Sequence, residues 1–348
     1  MNTKIYQYKK PFQLESGRKL QGVELSYTTL GTLNAAKNNV IWITHALTAN
    51  ANPEEWWNGL VGKGKFFNPQ QHFVVCANVL GSCYGSTGPL STDPSTGNPY
   101  YHNFPEITIR DIVKGLDLLR IHLGIEKIHT LIGGSLGGQQ AVEWAVQQPG
   151  LFENLFLIAT NAQHSPWGKA FNESQRLAIK ADRTWYSYSV DAGLKGLKAA
   201  RSIALLSYRS YDTYTITQKD ENDTIDNFKA ISYQNYQGEK LINRFNAFSY
   251  YHLSKAMDSH NVGRGRGSIN EALGKVKANT LVVAINSDVL FPVCESEVLA
   301  KGIPNSSFST LHSLYGHDGF LIETEQLKKQ FEIFYNQTKK VQHLKLAI

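Results

Sequence analysis

Short, uninterrupted apolar runs recur along this 348-residue chain. Residues 39–44 (NVIWIT), 129–132 (HTLI), 155–159 (LFLIA) and 280–285 (TLVVAI) are rich in β-branched side chains and too short for buried helices. Such runs predict strands of a parallel sheet covered on both faces, because successive side chains point to opposite sides and all of them meet apolar surroundings. A weaker run covers 307–311 (SFSTL). Helical spacing appears between them, as at 139–148 (QQAVEWAVQQ), until Pro149-Gly150 stops it. From about His164 to Asn270 the strand-like runs vanish, and tyrosine, helix formers and charge take over. The pattern predicts an α/β core over 1–163 and 271–348, interrupted by a helical lid at 164–270. With no low-complexity linker, one core with an insertion fits this length better than two tandem domains.

Between the run at 129–132 and the helix lies Gly133-Gly134-Ser135-Leu136-Gly137-Gly138. A serine flanked by glycines at a strand-to-helix junction reads as a nucleophile elbow, in which a strained turn projects Oγ and the glycines let neighbouring backbone approach. A bare G-x-S-x-G string arises by chance in glycine-rich chains, so the strand before it and the helix after it carry the reading. This elbow is the signature of the α/β-hydrolase fold, a mostly parallel central sheet flanked by helices, here with an inserted helical lid. In that fold the acid and then the histidine follow the serine in chain order. Asp288, just past the run at 280–285, is the candidate orienter, and His317, on a loop after 307–311, is the candidate base. An Asp after a strand also commonly caps a turn, and most histidines are surface or core; the order of the three is what singles these out. His45 precedes the elbow, His252 and His260 fall in the insertion, and His343 is near the end of the chain. The backbone N–H groups of Leu47, after the run at 39–44, and of Leu136 are the candidate oxyanion donors.

Charge changes the picture slightly. The formal net charge is +6, and residues 164–270 hold fifteen Lys and Arg against ten Asp and Glu, +5 of that total. A basic lid favours an anionic, phosphate-bearing small molecule, although basic side chains also simply solvate helices. The cations are dispersed, which argues against nucleic acid. Cys76, Cys83 and Cys294 form no C-x-x-C pair and no disulfide framework, so a reducing compartment is expected. The polar start (MNTKIYQYKK) and the lack of an 18-residue apolar run predict a cytoplasmic protein with no membrane span. In the lid, 197–209 (LKAARSIALLSYR) has helical spacing that puts Arg201 and Tyr208, two turns apart, on nearly one face.

Read end to end, the chain resembles the homoserine O-acyltransferase family of the α/β-hydrolase type, whose members most often transfer acetyl groups in methionine biosynthesis. The resemblance rests on HALT at 45–48, Trp56-Trp57, NVLGSCYGSTGP at 78–89, FPEITIRD at 104–111, GGSLGG at 133–138, SDVLFP at 287–292 and GHD at 316–318, and so covers nearly the whole chain. It implies Ser135 as nucleophile, Asp288 and His317 as its partners, and Arg201, Tyr208 and Asp318 as contacts to homoserine. Arg201 would take the carboxylate and Asp318 the ammonium group. It further implies acetyl-CoA as co-substrate, no bound cofactor or metal, and a homodimer. The chain departs from the family at Ala49-Asn50-Ala51-Asn52, where Gly-Asp-Ala-His is usual, and at 244–250 (RFNAFSY), where RFDANSY is usual. Succinyl-CoA as donor, serine as acceptor, a serine esterase or thioesterase, and a non-catalytic scaffold are the rival readings. An intact Ser, Asp, His set speaks against the scaffold.

Overall fold

The computed structural model describes residues 3–223 and 225–346, with side chains described through residue 340. Eight strands form one sheet: β1 (Lys4–Tyr8), β2 (Val23–Leu30), β3 (Val40–Thr44), β4 (Phe73–Ala77), β5 (Ile128–Gly134), β6 (Phe152–Ile158), β7 (Asn279–Ile285) and β8 (Ser306–Leu311). Their order across the sheet is β1-β2-β4-β3-β5-β6-β7-β8. Only β2 runs against the others. A short hairpin, Phe12–Gln13 with Lys19–Leu20, stands apart from this sheet.

The apolar runs are buried for the reason their pattern suggests. Val40 and Trp42 of β3 enter one apolar cluster, while Ile41 and Ile43 enter another. Both faces of the central strands are therefore covered, and neither needs polar residues. Helices α1 (Ile109–His122) and α2 (Leu136–Gln147) pack on the first face, where Trp144 meets Trp42 edge to face at 5.0 Å. A capping box starts α1: the Thr108 side chain accepts from the Asp111 N–H, and Asp111 accepts from the Thr108 N–H.

Between β6 and β7 the described residues form helices and no strand. The longer ones are α3 (Pro166–Lys180), α4 (Leu194–Tyr208), α5 (Lys229–Ile242) and α6 (Ala247–Asp258). Ile179, Leu197 and Phe248 join the same apolar cluster as the sheet, so these helices extend the core rather than enclosing one of their own. Two further helices, α7 (Val293–Gly302) and α8 (Thr324–Leu346), follow β7 and β8, and Leu327, Phe331 and Phe334 of α8 cover the second face. Among the described residues no helix is long and apolar enough to cross a membrane.

Register brings the carboxyl ends of the central strands level. Thr44 pairs with Gly133, Gly134 with Ile158 and Ile285 with Leu311, so the loops after β3, β5, β7 and β8 open on one edge of the sheet. Close packing at that edge requires glycine at 137, where an added Cβ would collide with the Thr44 carbonyl. Gly137→Ala is expected to lower unfolding free energy by about 1–3 kcal/mol in urea titrations, because backbone rather than a flexible side chain must move. An unchanged midpoint would show that the two segments separate freely.

Candidate active site

Ser135 sits between β5 and α2 with φ 58° and ψ −128°, a region that side-chain-bearing residues rarely occupy. Its N–H donates to the Ile158 carbonyl at 3.0 Å, and its carbonyl accepts from Thr160 Oγ1 at 2.9 Å. The turn is thus held from both sides. His317 Nε2 lies 2.8 Å from Ser135 Oγ, and His317 Nδ1 lies 2.6 Å from Asp288 Oδ2. Asp288 Oδ1 accepts from the Leu290 and Phe291 N–H groups at 2.8 and 2.9 Å. With the carboxylate accepting from Nδ1–H, Nε2 is left to accept the Ser135 proton.

The imidazole is fully enclosed. Phe291 stacks on it at 5.1 Å, and the rings of Phe320 and Tyr208 lie at 5.5 and 5.8 Å. Burial disfavours its charged form, yet the Asp288 carboxylate, by charge and by hydrogen bond, together with nearby Asp318, outweighs that and raises the His317 pKa above its ordinary 6.5. Two neighbours of Asp288 hold its loop against the histidine loop. Asn286 Oδ1 accepts from the Ser313 N–H at 2.9 Å, while Ser287 Oγ donates to the Ser313 carbonyl at 2.6 Å and accepts from the Gly316 N–H at 3.1 Å.

Leu136 is the first residue of α2, so its N–H has no intrahelical acceptor. Leu47 is placed by His45. Burial holds the His45 pKa down at about 4, so the ring is neutral. Its Nε2 accepts from the Val79 N–H at 3.1 Å, which puts the proton on Nδ1, and Nδ1–H donates to the Ala46 carbonyl at 2.8 Å. The N–H of Leu47, in the same trans peptide, faces the opposite way. Gln140 then ties the segments of the two candidate donors together, its Nε2 donating to the carbonyls of His45 and Leu136 at 3.0 and 3.1 Å.

A cavity of about 310 Å³ joins these parts; Ser135, His317, Leu47, Arg201, Tyr208 and Asp318 all line it, with Lys240 and Arg244. The Arg201 guanidinium sits 5.3 Å over the Tyr208 ring and has no carboxylate partner among the described residues. Asp318 differs from the simple picture of a free anion, because Arg209 Nη1 donates to its Oδ2. A larger hollow of about 620 Å³ near His102 and Trp185 shares no lining residue with the Ser135 cavity, so size does not pick out the site here. Among the described residues no group of three or more His, Cys, Asp or Glu could hold a metal ion.

His45, Gln140, Asn286, Ser287 and Arg209 escaped the sequence reading. His45 and Ser287 fall within the HALT and SDVLFP stretches, which gave no hint of these roles, and Gln140 is a fully buried amide of the helix after Ser135. The set of groups is suited to acyl transfer through serine: a base that accepts the hydroxyl proton, an anion that steadies the resulting imidazolium, and amides for a developing oxyanion.

Comparison with known proteins supports that chemistry. A family model described as the alpha/beta hydrolase fold matches residues 39–324. A protein of Cyclobacterium marinum named homoserine O-acetyltransferase is 52% identical over 335 residues, covering 96% of this chain and 95% of its own. One of the same name from Nostoc punctiforme is 44% identical over 335 residues, covering 94% of each. The crystal structure of homoserine O-acetyltransferase from Bacillus anthracis matches with a TM-score of 0.87 at 27% identity, over 97% of this chain and 98% of that one. Esterase E22 matches almost equally in shape, with a TM-score of 0.86 at 25% identity, over 96% of this chain and 99% of its own. Backbone likeness therefore does not separate transferase from esterase, whereas sequence likeness does.

Two outcomes are expected with p-nitrophenyl acetate as acyl donor. Because His317 must be neutral to act as base and its pKa is raised, acylation should fall on the acid side with a midpoint above pH 6.5; a midpoint below 6.5 contradicts the assignment. His45→Ala should slow acylation by roughly ten- to hundredfold, less than outright loss of an oxyanion donor. An undiminished rate would mean that the Leu47 amide holds its direction without the imidazole.

Proposed function

We propose that this chain, which belongs to the homoserine O-acetyltransferase family of α/β hydrolases, moves the acetyl group of acetyl-CoA to the side-chain hydroxyl of L-homoserine. The observation that carries the proposal for the acceptor is the unpaired Arg201 and the carboxylate of Asp318 on the wall of the cavity that holds Ser135. A cation and an anion beside one nucleophile suit a zwitterion. Arg201 takes the carboxylate, Asp318 the ammonium group, and Tyr208 fills the wall between them.

The reaction runs in two halves. His317 Nε2 removes the Ser135 proton as Oγ attacks the thioester carbonyl, and the N–H groups of Leu47 and Leu136 receive the oxyanion. The C–S bond breaks, His317 returns the proton to sulfur, and free CoA leaves acetyl-Ser135. Homoserine then binds; His317 takes its hydroxyl proton as the oxygen attacks the acetyl carbonyl. The bond to Ser135 breaks, Oγ regains the proton, and O-acetyl-L-homoserine departs. Asp288 steadies His317 as imidazolium in both halves. The helical lid roofs the site, excludes water at the acyl-serine stage and holds the acceptor in line.

This reading takes acetyl-CoA as co-substrate and no bound cofactor. It places the protein in the cytoplasm, in keeping with three free cysteines. It makes the protein a homodimer through the lid, where Leu206 of α4 and Ile231 of α5 are 60% and 53% exposed. One assay decides donor and acceptor together: acetyl-CoA and succinyl-CoA, each offered with homoserine and serine. The acetyl-CoA and homoserine pair should turn over fastest, and preference for any other pair contradicts the proposal. In the same assay Arg201→Ala should raise the KM for homoserine roughly ten- to hundredfold, with the KM for acetyl-CoA little changed. Equal effects on both would assign Arg201 to lid packing.

A further inference from the structure

The segment that ends α4 is fastened to the loop bearing His317. Arg209 is the residue at which the chain leaves α4, with φ −114° and ψ 162°. Its Nη1 donates to Asp318 Oδ2, and both side chains are mostly buried, 19% and 14% exposed. Ser210 Oγ and Thr213 Oγ1 both donate to the Leu314 carbonyl. Gly316, with φ 63°, lies so close that an added Cβ would stand 2.8 Å from the Arg209 carbonyl carbon and 3.0 Å from the Ser210 nitrogen. Lid and loop thus meet through backbone as well as side chains.

Within this contact the two oxygens of Asp318 are not equivalent. Oδ2 is held by Arg209, while Oδ1 has no hydrogen-bond partner among the described residues. Asp318 lines the Ser135 cavity, and Arg209 is not among the residues that do. We propose that Arg209 is a positioning residue that clamps Oδ2 and presents Oδ1 to the α-ammonium group of the acceptor, so that acyl transfer selects for an α-amino group. The proposal rests on the functional reading above. It sets charges of alternating sign in a row: Arg209, Asp318, the ammonium and carboxylate groups of the acceptor, then Arg201. A carboxylate fixed before the acceptor arrives loses less freedom on binding than one that must first be oriented.

The test compares L-homoserine with 4-hydroxybutyrate, which keeps the carboxylate and the hydroxyl but lacks the amino group. The full chain and its Arg209→Gln and Arg209→Lys variants are acetylated with acetyl-CoA, and transfer to each compound is followed. Where 4-hydroxybutyrate is not turned over, it is measured as a competitive inhibitor. For Arg209→Gln, kcat/KM with homoserine should fall roughly ten- to hundredfold. The 4-hydroxybutyrate value and the rate of Ser135 acetylation, both blind to the ammonium contact, should move by no more than about twofold. Arg209→Lys, which keeps the charge without the fork, should fall between wild type and Arg209→Gln, and it carries the comparison if Arg209→Gln fails to fold. An equal loss for both compounds, or slowed acetylation, overturns the proposal and makes Arg209 a strut for the His317 loop. Unchanged homoserine kinetics overturn it too. Failure of the wild type to make any O-acetyl-homoserine is a separate result, and it overturns the functional reading itself.

Discussion

The backbone of Ser135 is the constraint from which the site is built. A residue held at φ 58° and ψ −128° costs on the order of 1–3 kcal/mol and persists only when its surroundings over-determine it. Here they do. The Ile158 carbonyl accepts from its N–H, the Thr160 hydroxyl donates to its carbonyl, and Thr44 Oγ1 donates to the Gly137 carbonyl at 2.7 Å, locking the end of β3 to the first turn of α2. The turn leaves the Leu136 amide without an intrahelical partner, and the bond from Thr44 holds the loop after β3, which carries the Leu47 amide, against the same end of the helix. The proposed nucleophile and the proposed oxyanion amides are therefore consequences of one packing arrangement.

A layer of buried polar groups converts that arrangement into fixed directions. His45 is neutral because it is buried, and in that state it can accept from the Val79 amide and donate to the Ala46 carbonyl at once. His317 is buried as deeply, yet its pKa moves the other way, because it faces carboxylates instead of a carbonyl. Two enclosed imidazoles in one site thus take opposite protonation tendencies from their partners, one bonded to two backbone groups and the other placed between a carboxylate and the Ser135 hydroxyl.

Much of this was legible in the sequence, for physical reasons. Strands covered on both faces must be continuously apolar, so 39–44 and 280–285 stood out, and the loops after them hold Leu47 and Asp288. The edge strand β1, KIYQY, is mostly exposed along its length and has no such signature. Ser135, Asp288 and His317 were suggested by chain order, and the structure brings them within hydrogen-bonding distance. The spacing put Arg201 and Tyr208 on nearly one helix face, and in the structure the guanidinium of one sits over the ring of the other. Arg209 was not legible although it adjoins Tyr208: it lies where helical periodicity stops, and its direction is set by a loop more than a hundred residues away. The same holds for His45 and its partner Val79, which only the meeting of β3 and β4 brings together.

What distinguishes a transferase from an esterase on this scaffold is the fate of acetyl-Ser135, and shape does not disclose it, since an esterase and an acetyltransferase match this backbone equally well. The charged walls of the cavity are the structural argument for transfer. The most direct measurement is a single-turnover partition: enzyme acetylated on Ser135, with Ser135→Ala as the blank, is mixed with homoserine in water and the products are counted. The account predicts that nearly all of the acetyl group leaves as O-acetyl-homoserine and that free acetate forms far more slowly when homoserine is withheld. Acetate released at the same rate with or without homoserine would contradict it.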